Sequence, residues 1–494
     1  SSPKDALLDP YRKRFWILLV LVTAFRTWFI GRFELAPDEA YYWTWSRHLD
    51  WAYYDQGPML ALIIRLTTFL AGRISEWSVR IGAVALSAAT AAMVFELAAR
   101  VRGTRAAWYA SLALQAALLF AAGSILMVHD AIMICAWVGA LAAFYRAVHE
   151  AWRPGWALGA VALGLGASAK YSMALFVPCL LAYLALSPAQ RRWWRRPHLY
   201  LTGLATLAMI APLVAWNASH DWASFGHVAD LGGAGSTAWS WQTPLDYLGG
   251  QLGVVTPILA VLAWAGVAWA GWRGWREKRG ELLYLACFSV PVLIFFLVLS
   301  VQTRIYPNWP APAYPAAFIL LGAWVAADEG AAARRRAWFR AGVALAACLT
   351  VLVHLEVAWN VLPLPARAEA SLDRVRGWRE VGRAADERLA HSARPGHPRP
   401  FIAARRYQLA AILSFYMQGH PEVQLLPLRE PAGNQYRFWD RRGILAGRDA
   451  LYACENDWGA DHLRDRFAVL RRLPDYRHVR RGRELRRIRF FLGE

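Results

Sequence analysis

Lysine and cysteine are both scarce in this chain. Four of its 494 residues are lysine, against fifty-one arginines, so any lysine away from the arginine clusters is conspicuous. The five cysteines exclude a disulfide-stapled fold. Cys135, Cys179, Cys287 and Cys348 fall inside apolar runs, where a thiol packs as a small apolar group, and Cys454 stands alone in the C-terminal part. Nothing spaces them as metal ligands. No repeat of 20 to 50 residues is present to suggest a solenoid. Charge is thin as well, at 18% of residues. The 57% hydrophobic content and 27 tryptophans exceed what a soluble core of this length needs. The composition is that of a polytopic membrane protein.

Apolar runs of roughly 18 residues or more mark membrane-spanning helices. Eleven are read at about 14–32, 77–99, 106–124, 130–148, 155–169, 171–187, 199–217, 249–271, 281–300, 309–327 and 338–361. Residues 59–73 are shorter and carry Arg65, which predicts an interfacial helix lying along the membrane. The first run is interrupted by Arg26 and has no small-residue cleavage site, so it reads as a retained signal anchor.

Arginine sets the expected orientation. Arg12 to Arg14, Arg100/Arg102/Arg105, Arg146/Arg153, Arg191 to Arg196, Arg273 to Arg279 and Arg334 to Arg340 fall in alternate gaps. The positive-inside rule makes those gaps cytoplasmic. The long acidic loop after the first span, and everything beyond residue 362, are then periplasmic. Part of the net charge of +20 is therefore a topology signal. Nucleic-acid binding is excluded as its meaning, because short loops give no domain to dock a duplex. Residues 1–362 are expected to form the membrane domain and 363–494 a periplasmic one. Pro363 and Pro365 mark a hinge, a polar helix follows over Ser371–His391, and short apolar runs then alternate with helical ones, the pattern of a small α/β sandwich. That part contains no nucleophile motif and no P-loop.

The first outer loop holds Asp38, Glu39, Asp50 and Asp55 between hydrophobic runs. Ionisable groups at a bilayer are costly unless paired or serving a substrate, so these acids are functional candidates. Further along, Asp130 follows His129 at the expected outer end of one span, and Lys170 and Arg304 sit at the outer ends of others. Blander readings compete with each. Asp38 also suits a helix cap, Glu39 a structural hydrogen bond, and Lys170 and Arg304 a snorkelling role at lipid headgroups. His220 and Asp221 read as a turn. Most of the aromatic residues around Tyr41 and Tyr54 read as interfacial belt.

In order along the chain stand PDEAYYW (37–43), WAYYDQGPM (51–59), VHDA (128–131), SAKYS (168–172), PLVAWNASHDWASF (212–225) and PNWPAPAYP (307–315). RYQLAAILSFYMQG (406–419) and NQYRFW (434–439) follow near the C-terminus. The series resembles the bacterial GT-C superfamily of membrane glycosyltransferases, in particular its protein-mannosyltransferase and aminoarabinose-transferase group. The resemblance implies a mainly α, GT-C-type bundle of about 11–13 spans with interfacial helices in the first outer loop. It implies inverting transfer of a sugar from a polyprenyl-phosphate donor, in the bacterial inner membrane, with Asp38 as the catalytic aspartate. The favoured acceptor is an outer-leaflet glycolipid such as lipid A or core oligosaccharide, with a protein hydroxyl as the alternative.

The residues suit that chemistry. Carboxylates orient the acceptor hydroxyl and steady oxocarbenium-like charge, while cations neutralise the departing phosphate. Asp38, Asp130 and Glu39 are the catalytic candidates, and Lys170, Arg304 and Tyr171 the donor-phosphate ligands. Asp55, Tyr54, His129 and Asn308 are assigned to substrate. The loops that carry them are expected to converge on one outer cavity. Where aminoarabinose transferases have a basic residue after the acid, this chain has Gln56 after Asp55, which shifts phosphate binding to Lys170, Arg304 or a divalent ion. Metal dependence stays open, with Asp38, Asp55, His48 and His129 as the side chains able to gather around one. A transporter of lipid-linked sugars is the non-enzymatic alternative. It lacks support from repeated halves or from acids deep in mid-span.

Overall fold

The computed structural model of the chain describes residues 9–234, 239–362, 373–392, 395–427, 433–440, 443–455, 463–480 and 482–494. Its contacts divide the chain into two compact units. The first comprises Ser1–Ile30, Gln56–Leu60 and Arg80–His354, and the second Gly31–Asp55, Ala61–Val79 and Leu355–Glu494. The expected hinge at Pro363 and Pro365 and the Ser371 cap lie outside the described residues.

The first unit is helical throughout. Among the described residues five helices are long and apolar enough to cross a membrane unaided: Glu76–Ala116, His129–His149, Pro197–Ser219, Gly280–Leu299 and Ala332–Trp359. The number reaches seven when each sharply bent pair is taken as one span. The chain is a multi-pass membrane protein. Its lipid-facing side is plain on Pro197–Ser219, where Leu201, Leu204 and Leu207 are each about 60% exposed or more.

The gap between the two runs expected at 77–99 and 106–124 holds a turn at Arg102 (φ −147°) and Gly103 (φ 81°, ψ 168°), a conformation that a residue without Cβ adopts freely. Other runs that read as single spans are broken. The run at 249–271 bends by 105° between Gln242–Val255 and Pro257–Arg276. Thr256 takes φ 76° there, and Pro257 removes the amide that would have continued the first helix. The Lys170 run opens with a 3₁₀ turn, Tyr171–Leu175, before Phe176–Leu186. A continuous apolar core holds the bundle, with Phe15, Phe95, Trp137, Phe144, Phe176, Tyr284 and Phe318 all buried.

The second unit joins the loop after the first helix to the C-terminal residues. The loop supplies the helix Pro37–Arg47, which starts with proline and carries Asp38 and Glu39 in its first turn, both favourable at a helix N-terminus. It also supplies most of Met59–Leu70, whose Leu62, Leu66, Phe69 and Leu70 are exposed, as an interfacial helix requires. From the C-terminal residues comes a five-stranded sheet in the order β2-β1-β3-β5-β4. β1 (Phe401–Ala404) pairs in parallel with β2 (Val423–Leu425) and β3 (Ala450–Cys454). β3 is antiparallel to β5 (Arg483–Gly493), and β5 to β4 (Leu470–Arg480). The helices Trp378–His391 and Tyr407–Tyr416 pack with the sheet. Tyr416 donates its hydroxyl to Glu76 (3.1 Å) and accepts the Leu35 amide (2.7 Å), which fastens the loop to this sheet domain.

Candidate active site

Within the first unit, three elements far apart in sequence bring polar side chains together. Asp130 is the second residue of the helix His129–His149, and Lys170 immediately precedes the 3₁₀ turn. Lys170 Nζ donates to Asp130 Oδ1 at 2.8 Å, and Asn308 Nδ2 donates to Asp130 Oδ2 at 2.9 Å. Both members of the ion pair are largely buried, so its geometry matters: an acid or a base removed alone leaves its partner's charge stranded in protein. His129 is buried next to Asp130.

Tyr171 is held on two sides. Its amide donates to the Gln56 side-chain oxygen at 3.1 Å, and its hydroxyl meets Ser224 Oγ at 2.5 Å. The NASHDW segment makes the second contact. Buried Asn217 accepts the amides of Ser224 and Phe225, while Asp221 and Trp222 turn the chain with φ near 55°. His220 stacks on Trp216 and bonds its carbonyl, so that histidine is structural. The Gln56 contact depends on Gly57: a Cβ there would lie 2.1 Å from the Ser168 carbonyl oxygen, next to the 3.2 Å bond from the Met59 amide to the same atom. Gly57→Ala is therefore expected to push Gln56 off the Tyr171 amide. The result should be lower thermal stability, and a variant with wild-type melting would contradict this. Arg304, by contrast, is exposed on the loop before Ala313–Ala326, and among the described residues it bonds to none of this cluster.

The second unit contains the loop acids. Asp38 lies inside its helix rather than capping it, and its Oδ2 accepts from Arg374 at 3.3 Å. Its side chain is 40% exposed, yet the surrounding protein raises its pKa, with the Arg374 charge pulling the other way and Glu39 adding to the rise. Glu39 is fully buried and accepts the Ala36 amide at the start of the same helix. Asp55 accepts the Tyr41 hydroxyl at 2.8 Å. Burial pushes its pKa up to about 7; the Tyr41 bond opposes that and the charge on Asp38 adds to it. Tyr41, whose own pKa burial drives well above the ordinary phenol, accepts the Gln435 amide at 2.7 Å. The Gln435 side chain in turn accepts the Tyr54 amide at 2.7 Å. Two carboxylates, one open and one buried and raised by the other's charge, are suited to divide proton handling.

Arg374, Tyr41, Gln435, Gln56 and Ser224 were not among the expected site residues. Tyr41 stood among aromatics read as belt, Gln435 lies in the NQYRFW motif, and Arg374 carried no mark among fifty-one arginines. His48 pairs with Glu422 at 3.3 Å. Among the described residues no three His, Cys, Asp or Glu side chains gather as a metal site.

Because Arg374 lowers the Asp38 pKa, Arg374→Gln should raise it. The acid limb of the pH–rate profile would then move to higher pH, while Arg374→Lys should preserve it. Superimposable profiles for wild type and Arg374→Gln would rule this coupling out.

The fold defines the class: a multi-pass membrane protein, a helical bundle with a small C-terminal sheet domain. ArnT from Cupriavidus metallidurans, in its crystal structure bound to undecaprenyl phosphate, aligns over 99% of this chain and 98% of its own, with a TM-score of 0.64 and 18% identity. Residues 55–216 match the family model described as dolichyl-phosphate-mannose-protein mannosyltransferase. The chain is 28% identical over 327 residues to the lipid A galacturonosyltransferase RgtD of Rhizobium johnstonii, covering 65% of each. It is 27% identical over 353 residues to the undecaprenyl phosphate-alpha-4-amino-4-deoxy-L-arabinose arabinosyl transferase of Erwinia tasmaniensis, covering 67% of this chain and 61% of that one. The matches thus span slightly less than two thirds of these curated relatives.

Proposed function

We propose that the chain is an inverting glycosyltransferase of the bacterial inner membrane that moves a sugar from polyprenyl phosphate to an outer-leaflet glycolipid, lipid A or core oligosaccharide. The observation that carries the reading is the pair of carboxylates in the second unit, Asp55 held by the Tyr41 hydroxyl and Asp38 by Arg374, in a chain with the fold of ArnT, supported by relatives named for lipid A and undecaprenyl-phosphate sugars. The second unit, with the C-terminal domain from about residue 363, is assigned to the periplasm on the arginine pattern of the loops.

Asp38, the more open carboxylate, accepts or orients the acceptor proton. The acceptor oxygen forms a bond to the anomeric carbon as the bond to the phosphate oxygen breaks, and polyprenyl phosphate leaves with the electron pair. Asp55 and Tyr54 bind substrate, and the Tyr41 hydrogen bond fixes the Asp55 carboxyl. Lys170, Arg304 and Tyr171 take the donor phosphate, with His129 and Asn308 beside them. Asp130 acts on Lys170, holding the ammonium in place. Glu39, bound to its own helix start, supports the position of Asp38.

The test is purified full-length protein supplied with radiolabelled polyprenyl-phosphate sugar and both lipid A and protein acceptors. Label should enter the glycolipid fraction. Label in protein alone would favour the reading suggested by the mannosyltransferase family match, and label in neither would overturn the proposal.

A further inference from the structure

Between Glu150 and Asp221 the chain has no acidic residue, yet four arginines stand there within six positions, Arg191, Arg192, Arg195 and Arg196. They belong to the 3₁₀ segment Pro188–Arg195 and to the residue that joins it to the helix Pro197–Ser219, all inside the first unit. Together with Trp194 they line an open concavity of about 890 Å³. All four are exposed. Arg191 donates to the Ala185 carbonyl at 3.0 Å and Arg192 lies over the Trp193 ring, but none of the four forms an ion pair among the described residues. Elsewhere in the same unit acids answer the exposed arginines, as Glu96 does Arg12, Glu150 does Arg100 and Asp328 does Arg105.

Orientation in the membrane accounts for the arginines but not for the missing acids, because acidic residues count for little in that bias. Clustered cations without counter-charges repel one another and are stabilised by an anion from outside the chain. The neighbouring surface indicates which anion. The helix that follows exposes Leu201, Leu204 and Leu207, and at its start the Tyr200 hydroxyl donates to the Trp194 carbonyl at 2.8 Å. Exposed leucines, then an aromatic pair, then arginines is the order met in passing from lipid tails to headgroups.

We propose that this concavity seats the headgroup of an anionic phospholipid of the bilayer, with its phosphates on Arg192, Arg195 and Arg196 and its chains along the exposed leucines of Pro197–Ser219. A guanidinium fork matches two oxygens of a phosphate, and so many cations in so short a segment suit a head with two phosphates, as in cardiolipin. This lipid is a resident of the membrane and takes no part in sugar transfer, so the site does not depend on the transferase reading.

The experiment titrates full-length protein in non-ionic detergent with cardiolipin, phosphatidylglycerol, phosphatidylethanolamine and undecaprenyl phosphate, and reads bound lipid by native mass spectrometry. Cardiolipin should bind most tightly, phosphatidylglycerol next and phosphatidylethanolamine least. Arg195→Gln/Arg196→Gln should weaken cardiolipin binding about 10- to 100-fold, the loss expected for two cations at a lipid phosphate. Neither side chain makes a hydrogen bond or ion pair among the described residues, so the fold should survive the change. Arg105→Gln removes an arginine that Asp328 already answers and should leave lipid binding unchanged. A measurement on the wild type stands apart from any variant: raising ammonium acetate from about 0.1 to about 0.5 M should weaken cardiolipin binding by screening the arginines. Phosphatidylethanolamine binding as tight as cardiolipin, equal weakening by Arg105→Gln, or binding indifferent both to salt and to the double substitution would overturn the proposal. So would dependence on Arg195 and Arg196 for undecaprenyl phosphate alone, which would make the concavity a carrier site.

Discussion

Asp38→Asn should lower turnover by about 10²- to 10⁴-fold, the range for loss of a positioned general base, while leaving donor binding within a few-fold of wild type. The substitution keeps the shape of the side chain and a partner oxygen for Arg374, so the helix Pro37–Arg47 should remain in place. A second consequence separates this from simple damage. The negative charge of Asp38 contributes to the raised pKa of Asp55, so neutralising it should let Asp55 titrate below its starting value of about 7. Residual activity should then show a pH dependence moved toward acid. Turnover near the wild-type rate, measured with radiolabelled donor, would remove Asp38 from the chemistry.

The second large effect concerns the ion pair in the helical unit. Lys170→Met should cost about 3–5 kcal/mol of stability, because Asp130 would remain charged and buried with Asn308 as its remaining partner in the trio. Adding Asp130→Asn removes the stranded charge, and the double variant should recover most of the lost melting temperature. Donor binding should not recover, since the proposed phosphate ligand is still missing. Thermal unfolding and undecaprenyl-phosphate binding measured on all three variants distinguish the two roles of Lys170. A double variant that binds donor like wild type would make the lysine purely structural, and a stable single variant would show that the pair contributes little.

Apolar runs are a bulk property of sequence, and they locate most of the helices of the first unit to within a few residues. The breaks within them are local. The bend at Thr256 depends on a single backbone conformation that no run of hydropathy records. In the sheet domain β1, β2, β3 and β5 coincide with short apolar stretches, whereas β4, LRRLPDYRHVR, has no apolar alternation and takes its strand form from its pairing with β5. The polar helix expected from Ser371 begins as an α-helix at Trp378, after Gly377 at φ 75°.

The acids of the candidate site stood out because carboxylates are rare between apolar runs. Their partners did not. Arg374 is 336 residues from Asp38, and Gln435 is 394 from Tyr41, so only the folded chain reveals which arginine and which amide matter.

The discontinuity of the second unit bears on engineering. Its loop segments and its C-terminal segment share bonds such as Leu35 to Tyr416, Asp38 to Arg374 and Tyr41 to Gln435. A chimaera made by grafting only the tail of a similar protein would inherit half of each pair and mismatch the rest. Transplanting this unit intact requires moving all three stretches of chain together.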